Sequence, residues 1–304
     1  LSSILFLISS HGVPRNDNHR RLPAAFAAHG WTVTVADHEA LRVRNGQITI
    51  GGGLGGDVEL TAFDRIWLVG MGERTSFLDR MQMLATLPPL KFVVGPGALL
   101  QLHAKYALPL GPLRDHHPET HASRDPAWLA GVVGRGGDWV AKPAAGSFGR
   151  EVYRLRRDDP NLRVILDALT GHDASRYCVL QRYCVEIEGG EKRIIVAGGT
   201  VIDAYLRMPR QDHRANLAAD AEARQTILTV EEHELAQRCA AWLAEQGVGF
   251  AAVDVAYPWI VEFNVANPGG LETIERLSGR DVSPAVVVAV AGGLSAATAA
   301  AAAR

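Results

Sequence analysis

The stretch that most constrains this chain runs from Val253 to Gly270 and reads V-D-V-A-Y-P-W-I-V-E-F-N-V-A-N-P-G-G. Two short apolar runs, Phe250 to Ala256 and Trp259 to Phe263, alternate with period two around Tyr257-Pro258, the pattern of a β-hairpin. Residues two apart on a strand share a face, so Glu262 and Asn264 project together, and the hairpin can bring Asp254 beside them. Three oxygen-bearing side chains converging from apolar strands are costly unless something cationic meets them. Oxygen-only donors suit a hard cation, magnesium carried with nucleotide phosphates above all. The plainer alternative leaves Asp254 and Glu262 at strand ends, facing water.

A chain of 304 residues is too long for one small core and implies two or three domains. With 47% hydrophobic and 21% charged residues it has the balance of an ordered soluble protein. A net charge of −2 gives no electrostatic reason to expect nucleic acid or an anionic membrane as partner. The three cysteines, Cys178, Cys184 and Cys239, lack metal-type spacing, and their odd number argues against a disulfide framework. Leu1 to Ser10 is apolar but brief and reads as a first buried strand rather than a signal peptide. No apolar run reaches the ~20 residues a membrane-spanning helix needs. The expectation is a cytoplasmic protein with free thiols.

Ile4 to Ile8 is a continuous apolar run, as expected of a strand buried on both faces of a parallel sheet. Arg20 to His29 has helical spacing and ends at Gly30; Trp31 to Ala36 alternates as a second strand. Arg42 to Ile50 reads as a polar hairpin around Asn45-Gly46. The glycine-rich Gly51 to Gly56 lacks both phosphate-loop and dinucleotide spacing. Arg65 to Val69 is a third strand, Ser76 to Leu87 a helix and Lys91 to Val94 a fourth strand, which together imply an open α/β sheet ending near Leu113. Arg15, Asn16, His19 and Arg20 follow the first strand, and Met71 to Arg74 follow the third, where such sheets place ligand loops; solvated loop polarity is the plainer reading. His116, His117 and His121 lie in a Pro-containing linker without regular register, which speaks against a metal site.

Asp125 begins a capped helix that ends at Gly136-Gly137, and Trp139 to Pro143 is a strand that delivers Lys142 into an apolar setting. A buried ammonium demands an anion or a shifted pKa. The small-residue loop Ala144 to Val152, containing Gly146, Ser147, Phe148 and Gly149, can offer backbone N–H groups to phosphate or be a simple hairpin turn. Pro160 to Leu169 is an amphipathic helix; Tyr177 to Tyr183, Lys192 to Val196 and Val201 to Leu206 are strands. Arg214 and Asn216 sit in a polar loop, and Val230 to Gln246 is a long helix with a capping pattern at Thr229 to Glu232. Leu271 to Ser278 is a short helix, and an Ala-rich helix from Ser283 is expected to break at Gly292-Gly293.

The order of these features resembles the ATP-grasp carboxylate–amine ligases, and among them bacterial glutathione synthase. The likeness runs through D-P-N-L, L-T-x-H, R-Y-C, Q-x-Y, E-K-R-I, R-A-N-L-A-A, D-V, E-F-N-V and P-G-G, and covers Lys105 to Asp281 well. It implies a Rossmann-like parallel-sheet domain over residues 1–113, a small central lid over 114–185 and an antiparallel α+β catalytic domain over 186–304. It further implies that Lys105 and Lys142 touch ATP phosphates and that Gly146 to Gly149 is the phosphate loop. Gln181, Arg182, Tyr183 and Cys184 fall on the segment whose backbone meets adenine. By the same likeness Arg193 and Arg214 lie near the transferred phosphoryl group and the acyl substrate. Asn216, Asn267, Gly269 and Gly270 fall on substrate-facing loops. Asp254, Glu262 and Asn264 match ligands of magnesium, or of manganese in its place.

The implied reaction is amide formation through an acyl phosphate, with small amino-acid or peptide substrates and a homo-oligomeric enzyme. Residues 216–221 read N-L-A-A-D-A where glutathione synthases carry N-L-A-A-G-G, and Pro268-Gly269-Gly270 looks more like the ligases that add glutamate to ribosomal protein. Gly70 to Thr75, G-M-G-E-R-T, likewise replaces the family's R-K-D-P-P. A peptide or amino-acid ligase is therefore the second reading, and a catalytically silent nucleotide-binding regulator the alternative of another class. The absence of G-x-G-x-x-G after the first strand weighs against a dehydrogenase.

Overall fold

The computed structural model describes residues 2–9, 16–51, 56–144, 151–171, 173–209 and 221–302, with 294–302 as backbone only. Ile4 to Leu7 are wholly buried in β1 (Ser3–Ile8), which is why that run is apolar on both sides. α1 (Asn18–Ala28) crosses to β2 (Thr32–Asp37), which pairs in parallel with β1. The chain then makes a small antiparallel sheet of β3 (Leu41–Arg44), β4 (Gln47–Gly51) and β5 (Asp57–Glu59). Its first turn is the expected Asn45-Gly46, both residues with positive φ. β6 (Arg65–Leu68) returns to the other side of β1, completing the parallel order β2-β1-β6. α2 (Phe77–Leu84), α3 (Pro96–Leu102) and α4 (Ala107–Leu110) follow.

The expected fourth strand at Lys91 to Val94 does not form. Pro88 and Pro89, with no N–H to give a ladder, set a 3-10 turn over Pro89–Lys91. Only single bridges remain, Ile66 with Phe92 and Val94 with Val248. Those bridges tie the first sheet to the last: Val93 N donates to Ile66 O at 2.9 Å, and Gly249 N donates to Val93 O at 2.6 Å.

The middle of the chain builds β7 (Thr120–Ser123), α5 (Pro126–Gly134), β8 (Trp139–Pro143), β9 (Tyr153–Leu155), α6 (Leu162–Thr170) and β10 (Cys178–Arg182). Asp125 caps α5 by accepting from the N–H groups of Ala127 and Trp128. The antiparallel order is β7-β10-β8-β9, and α5 and α6 cover it through a separate core of Leu129, Val133, Trp139, Leu166 and Leu180.

A five-stranded antiparallel sheet follows, ordered β13-β12-β11-β14-β15. Its strands are β11 (Glu191–Ala197), β12 (Thr200–Met208), β13 (Glu222–Gln225), β14 (Phe250–Ala256) and β15 (Trp259–Asn264). α7 (Val230–Glu245) opens with the expected capping box, Thr229 and Glu232 bonding each other's backbone N–H. α8 (Leu271–Ser278) and α9 (Ser283–Ala302) close the chain. α9 runs straight through Gly292-Gly293 instead of breaking there. A Cβ on Gly293 would lie 2.9 Å from Gly198 Cα in the β11–β12 turn, so the close approach offsets the ~1 kcal/mol that glycine costs a helix. The first and last sheets share one continuous core, in which Trp67 meets Phe250 edge-to-face at 5.4 Å. Among the described residues no helix is long and apolar enough to cross a membrane.

Candidate active site

The hairpin β14–β15 forms as its period-two pattern predicts, but its register holds a bulge. Val255 pairs with Ile260, whereas Asp254 pairs with Glu262, leaving Val261 as the extra residue. Directly opposite residues share a face, so the bulge puts Glu262 beside Asp254. β11 pairs Arg193 with Asp254 on one side and with Tyr205 on the other, and Glu191 with Arg207. One face of the sheet therefore carries Asp254, Glu262, Asn264, Arg193, Tyr205, Arg207 and Glu191.

Asp254 is only 2% exposed and fully engaged. It accepts from Arg193 Nε at 2.8 Å and Nη2 at 2.7 Å, from Arg207 Nη2 at 2.8 Å and from Asn264 Nδ2 at 2.9 Å. Burial would raise its pKa, but the two guanidiniums outweigh burial and hold the carboxyl well below the usual range. Arg207 also pairs with Glu191, both side chains buried. Arg207 and Glu191 are the members of this cluster that the sequence reading missed; the signal was available only as their cross-strand pairing.

Glu262 pairs with Lys105, which arrives from the segment between α3 and α4. Burial pushes Glu262 up; Lys105 and then Lys142 pull it down further, so it is held ionised. Lys142 projects from β8 of the neighbouring sheet and donates to Gln181 Oε1 at 2.9 Å. Burial, reinforced by the charge of Lys105, lowers the Lys142 pKa to about 8. Lys105, Lys142, Gln181, His117 and Glu262 line one cleft between the four-stranded and five-stranded sheets.

Arg182 lies over the Trp139 ring at 4.0 Å and bonds Gly136 O and Glu119, while Tyr183 donates from its hydroxyl to Glu188. β10 is flanked by β7 and β8, so the segment has lateral backbone partners through Arg182, and Tyr183 N goes to Asp138 O. Cys184 is partly exposed, and burial lifts its thiol to about 12, so it is no ready nucleophile. Asn267 accepts from Asn18 Nδ2 at 2.8 Å through its side chain and from Asn16 Nδ2 at 3.2 Å through its carbonyl. Asn18, another residue not singled out from the sequence, also donates to Pro268 O at 2.9 Å. Gly269 O accepts from Arg193, and Gly270 has φ +147°, where an added Cβ would be strained and would crowd the side chains of Ile195 at 3.0 Å and Tyr205 at 3.2 Å. The loop after β1 thus meets the Asn267 to Gly270 loop. Met71 and Glu73 carbonyls are gathered by buried Arg80, and Gly70 N donates to Ala266 O. Gly146, Ser147, Phe148, Gly149, Arg214, Asn216 and Arg15 lie outside the described residues.

The three histidines of the linker turn to different partners: His116 to Arg238, His121 to Glu119, and His117 to Ile260 and Gln181. Two carboxylates and an amide oxygen on one hairpin face are a donor set that fits magnesium. Both carboxylates hold cationic side chains in this structure, Lys105 on Glu262 and Arg193 and Arg207 on Asp254, which a bound cation would share or displace.

Comparison with known proteins agrees with this arrangement. Residues 108–279 match the model of the prokaryotic glutathione synthetase ATP-grasp domain. Glutathione synthetase of Prochlorococcus marinus subsp. pastoris is 29% identical over 237 residues, 76% of this chain and 75% of that protein. That of Escherichia coli K12 is 34% identical over 163 residues, 53% of this chain and 51% of that protein, so the chain spans about half of such relatives. D-cycloserine synthetase DcsG superposes with TM-score 0.69 at 16% identity, covering 96% of this chain and 100% of that one. The ATP-grasp ligase PsnB, in complex with a precursor variant, Mg and ADP, gives TM-score 0.65 at 17% identity over 96% of this chain and 98% of its own. The family match spans more than half the chain and the sheets follow the same architecture, so the chain belongs to the prokaryotic glutathione synthetase ATP-grasp family of ATP-dependent ligases.

Proposed function

We propose that this chain uses ATP and magnesium to join a carboxylate to an amine, with γ-glutamylcysteine and glycine as substrates and glutathione as product. The observation that carries the reading is the pairing across one cleft of Lys105 and Lys142 with a hairpin face bearing Asp254, Glu262 and Asn264. Lysines on one side and oxygen donors on the other match a nucleotide phosphate chain with its cation. In this reading the chain divides at residues 113 and 185, and ATP lies between the last two parts.

The substrate carboxylate attacks the γ-phosphorus, ADP leaves, and the amine then attacks the acyl carbon and expels phosphate. Lys105 and Lys142 hold phosphate oxygens, and the loop of Gly146 to Gly149 adds backbone N–H groups. The segment Gln181 to Cys184 faces adenine. Arg193, with Arg214, meets charge that develops on the transferred group, and its bidentate bond to Asp254 keeps it oriented. Asn216, Asn267, Gly269 and Gly270 border the acyl and amine substrates. Magnesium, held by Asp254, Glu262 and Asn264, supplies charge neutralisation at the phosphates when bound. The protein positions and neutralises; no side chain forms a covalent bond.

A related amino-acid or peptide ligase is the second reading, favoured by Pro268-Gly269-Gly270 and by the near full-length likeness to PsnB. ADP release by the purified protein should require γ-glutamylcysteine and glycine jointly. Turnover with a different pair and none with these would pass the assignment to the second reading. ATP binding with no turnover on any pair would favour a regulator. Glu262→Gln should keep the fold, read by circular dichroism, and lose magnesium-dependent turnover by at least about a hundredfold; unchanged activity would remove the metal role.

A further inference from the structure

His117 lies in the linker ahead of β7, and both of its ring nitrogens are engaged. Nδ1 lies 2.8 Å from the carbonyl oxygen of Ile260 on β15. Nε2 lies 3.0 Å from Nε2 of Gln181 and 3.2 Å from Thr120 Oγ1, whose own hydrogen goes to Pro118 O. Gln181 Oε1 accepts from Lys142 at 2.9 Å. The two ends of this chain admit one polarity. A carbonyl only accepts and an ammonium only donates. Lys142 therefore donates to Gln181 Oε1, the Gln181 amide donates to His117 Nε2, and His117 Nδ1–H donates to Ile260 O. Turning the Gln181 amide over would set an NH2 group against the ammonium. A proton on His117 Nε2 would face the amide's hydrogens. Burial keeps the imidazole neutral, its pKa lowered to about 4, as an accepting Nε2 requires.

The chain crosses from the four-stranded sheet, which supplies Lys142 and Gln181, to the hairpin, which supplies Glu262 two residues beyond Ile260. We propose that His117 is a positioning residue that holds Lys142 in register with the hairpin of Asp254 and Glu262, acting through the side chain of Gln181. The inference rests on Lys142 meeting nucleotide phosphate, as in the reading above. His117 touches neither substrate nor metal in it; it sets where the ammonium stands.

The glutamine amide offers a donor NH2 and an acceptor oxygen and can span Gln181 and Ile260 as the imidazole does, whereas phenylalanine puts a planar ring in the same place and loses both bonds. ATP affinity, measured by calorimetry, should weaken about tenfold in His117→Phe and stay within about threefold in His117→Gln. In steady state His117→Phe should raise KM for ATP and leave KM for the amine substrate unchanged. Long-range 1H–15N spectra of the wild-type protein at pH 7 should show His117 protonated at Nδ1 and bare at Nε2. An Nε2–H signal overturns the chain, and so does wild-type ATP affinity in His117→Phe. Equal losses in both variants, with all kinetic constants falling together, would make His117 a packing residue only and overturn the proposal. Should His117→Phe not fold, His117→Asn, whose amide can still donate to Ile260 O but is too short to reach Gln181, breaks the same chain and should give the same loss of ATP affinity. Wild-type protein that binds no ATP would fail the functional reading as well, whereas wild-type binding with both variants unaltered would fail this inference alone.

Discussion

Lys142 shows how a single residue's surroundings set its chemistry. Its strand delivers it partly buried into a cleft, and Lys105 stands near enough to add repulsion; burial and that repulsion bring its pKa to about 8. As pH rises through 8 the free protein loses this charge, and phosphate binding must then restore the proton. ATP affinity should therefore be about tenfold weaker at pH 9 than at pH 7. In Lys142→Arg, whose guanidinium does not titrate in this range, the difference should vanish. Calorimetric titration with ATP across pH 6.5 to 9.5 checks both, and a flat wild-type profile would show that Lys142 does not meet the nucleotide. Asp254 makes the opposite case. Its burial alone would favour the neutral acid, yet Arg193 and Arg207 keep it ionised. Lys142, Arg193 and Asp254 were legible in the sequence as polar groups among apolar strands. Arg207 and Glu191 were not, because nothing near them in the chain marks which strand they will face.

Among the elements, the hairpin and the junction between sheets matter most. In β14–β15 the bulge decides the outcome, since without it Asp254 would oppose Val261 and Glu262 would turn to the other face. The alternation of the sequence announces the hairpin but not that extra residue. The junction depends on Gly249, where an added Cβ would lie 2.8 Å from the backbone oxygen of Val93, an atom that cannot step aside. Gly249→Ala should lower stability by about 1–3 kcal/mol in urea denaturation. An unchanged midpoint would mean that the first and last sheets do not meet there. The unbroken α9 is a case of a long-range contact outvoting local propensity, whereas the absent strand at Lys91 to Val94 follows from the local chemistry of Pro88-Pro89.

At the scale of the whole molecule, the first and last sheets share one core while the four-stranded sheet keeps its own. Two histidines, His38 in the former and His117 beside the cleft, are buried and neutral, with burial lowering each pKa to about 4. Above pH 6.5 neither folded nor unfolded chain protonates them. As pH falls from 6.5 the unfolded chain takes up protons that the folded one refuses until about pH 4, so stability drops across that window. The loss should reach on the order of 2–3 kcal/mol per histidine by pH 4. Urea midpoints between pH 7 and 4 measure it, and His117→Gln should flatten the slope; a slope equal to wild type would place His117 in water. The sequence alone determined the α/β and antiparallel elements, the hairpin and the kinds of side chain that a phosphate and a hard cation require, because period and composition are local properties. Only the tertiary structure decided which face Glu262 takes, that Arg207 shares Asp254, and that His117 spans two sheets to reach Lys142. Those outcomes depend on register and on the approach of residues far apart in the chain, which no local pattern encodes.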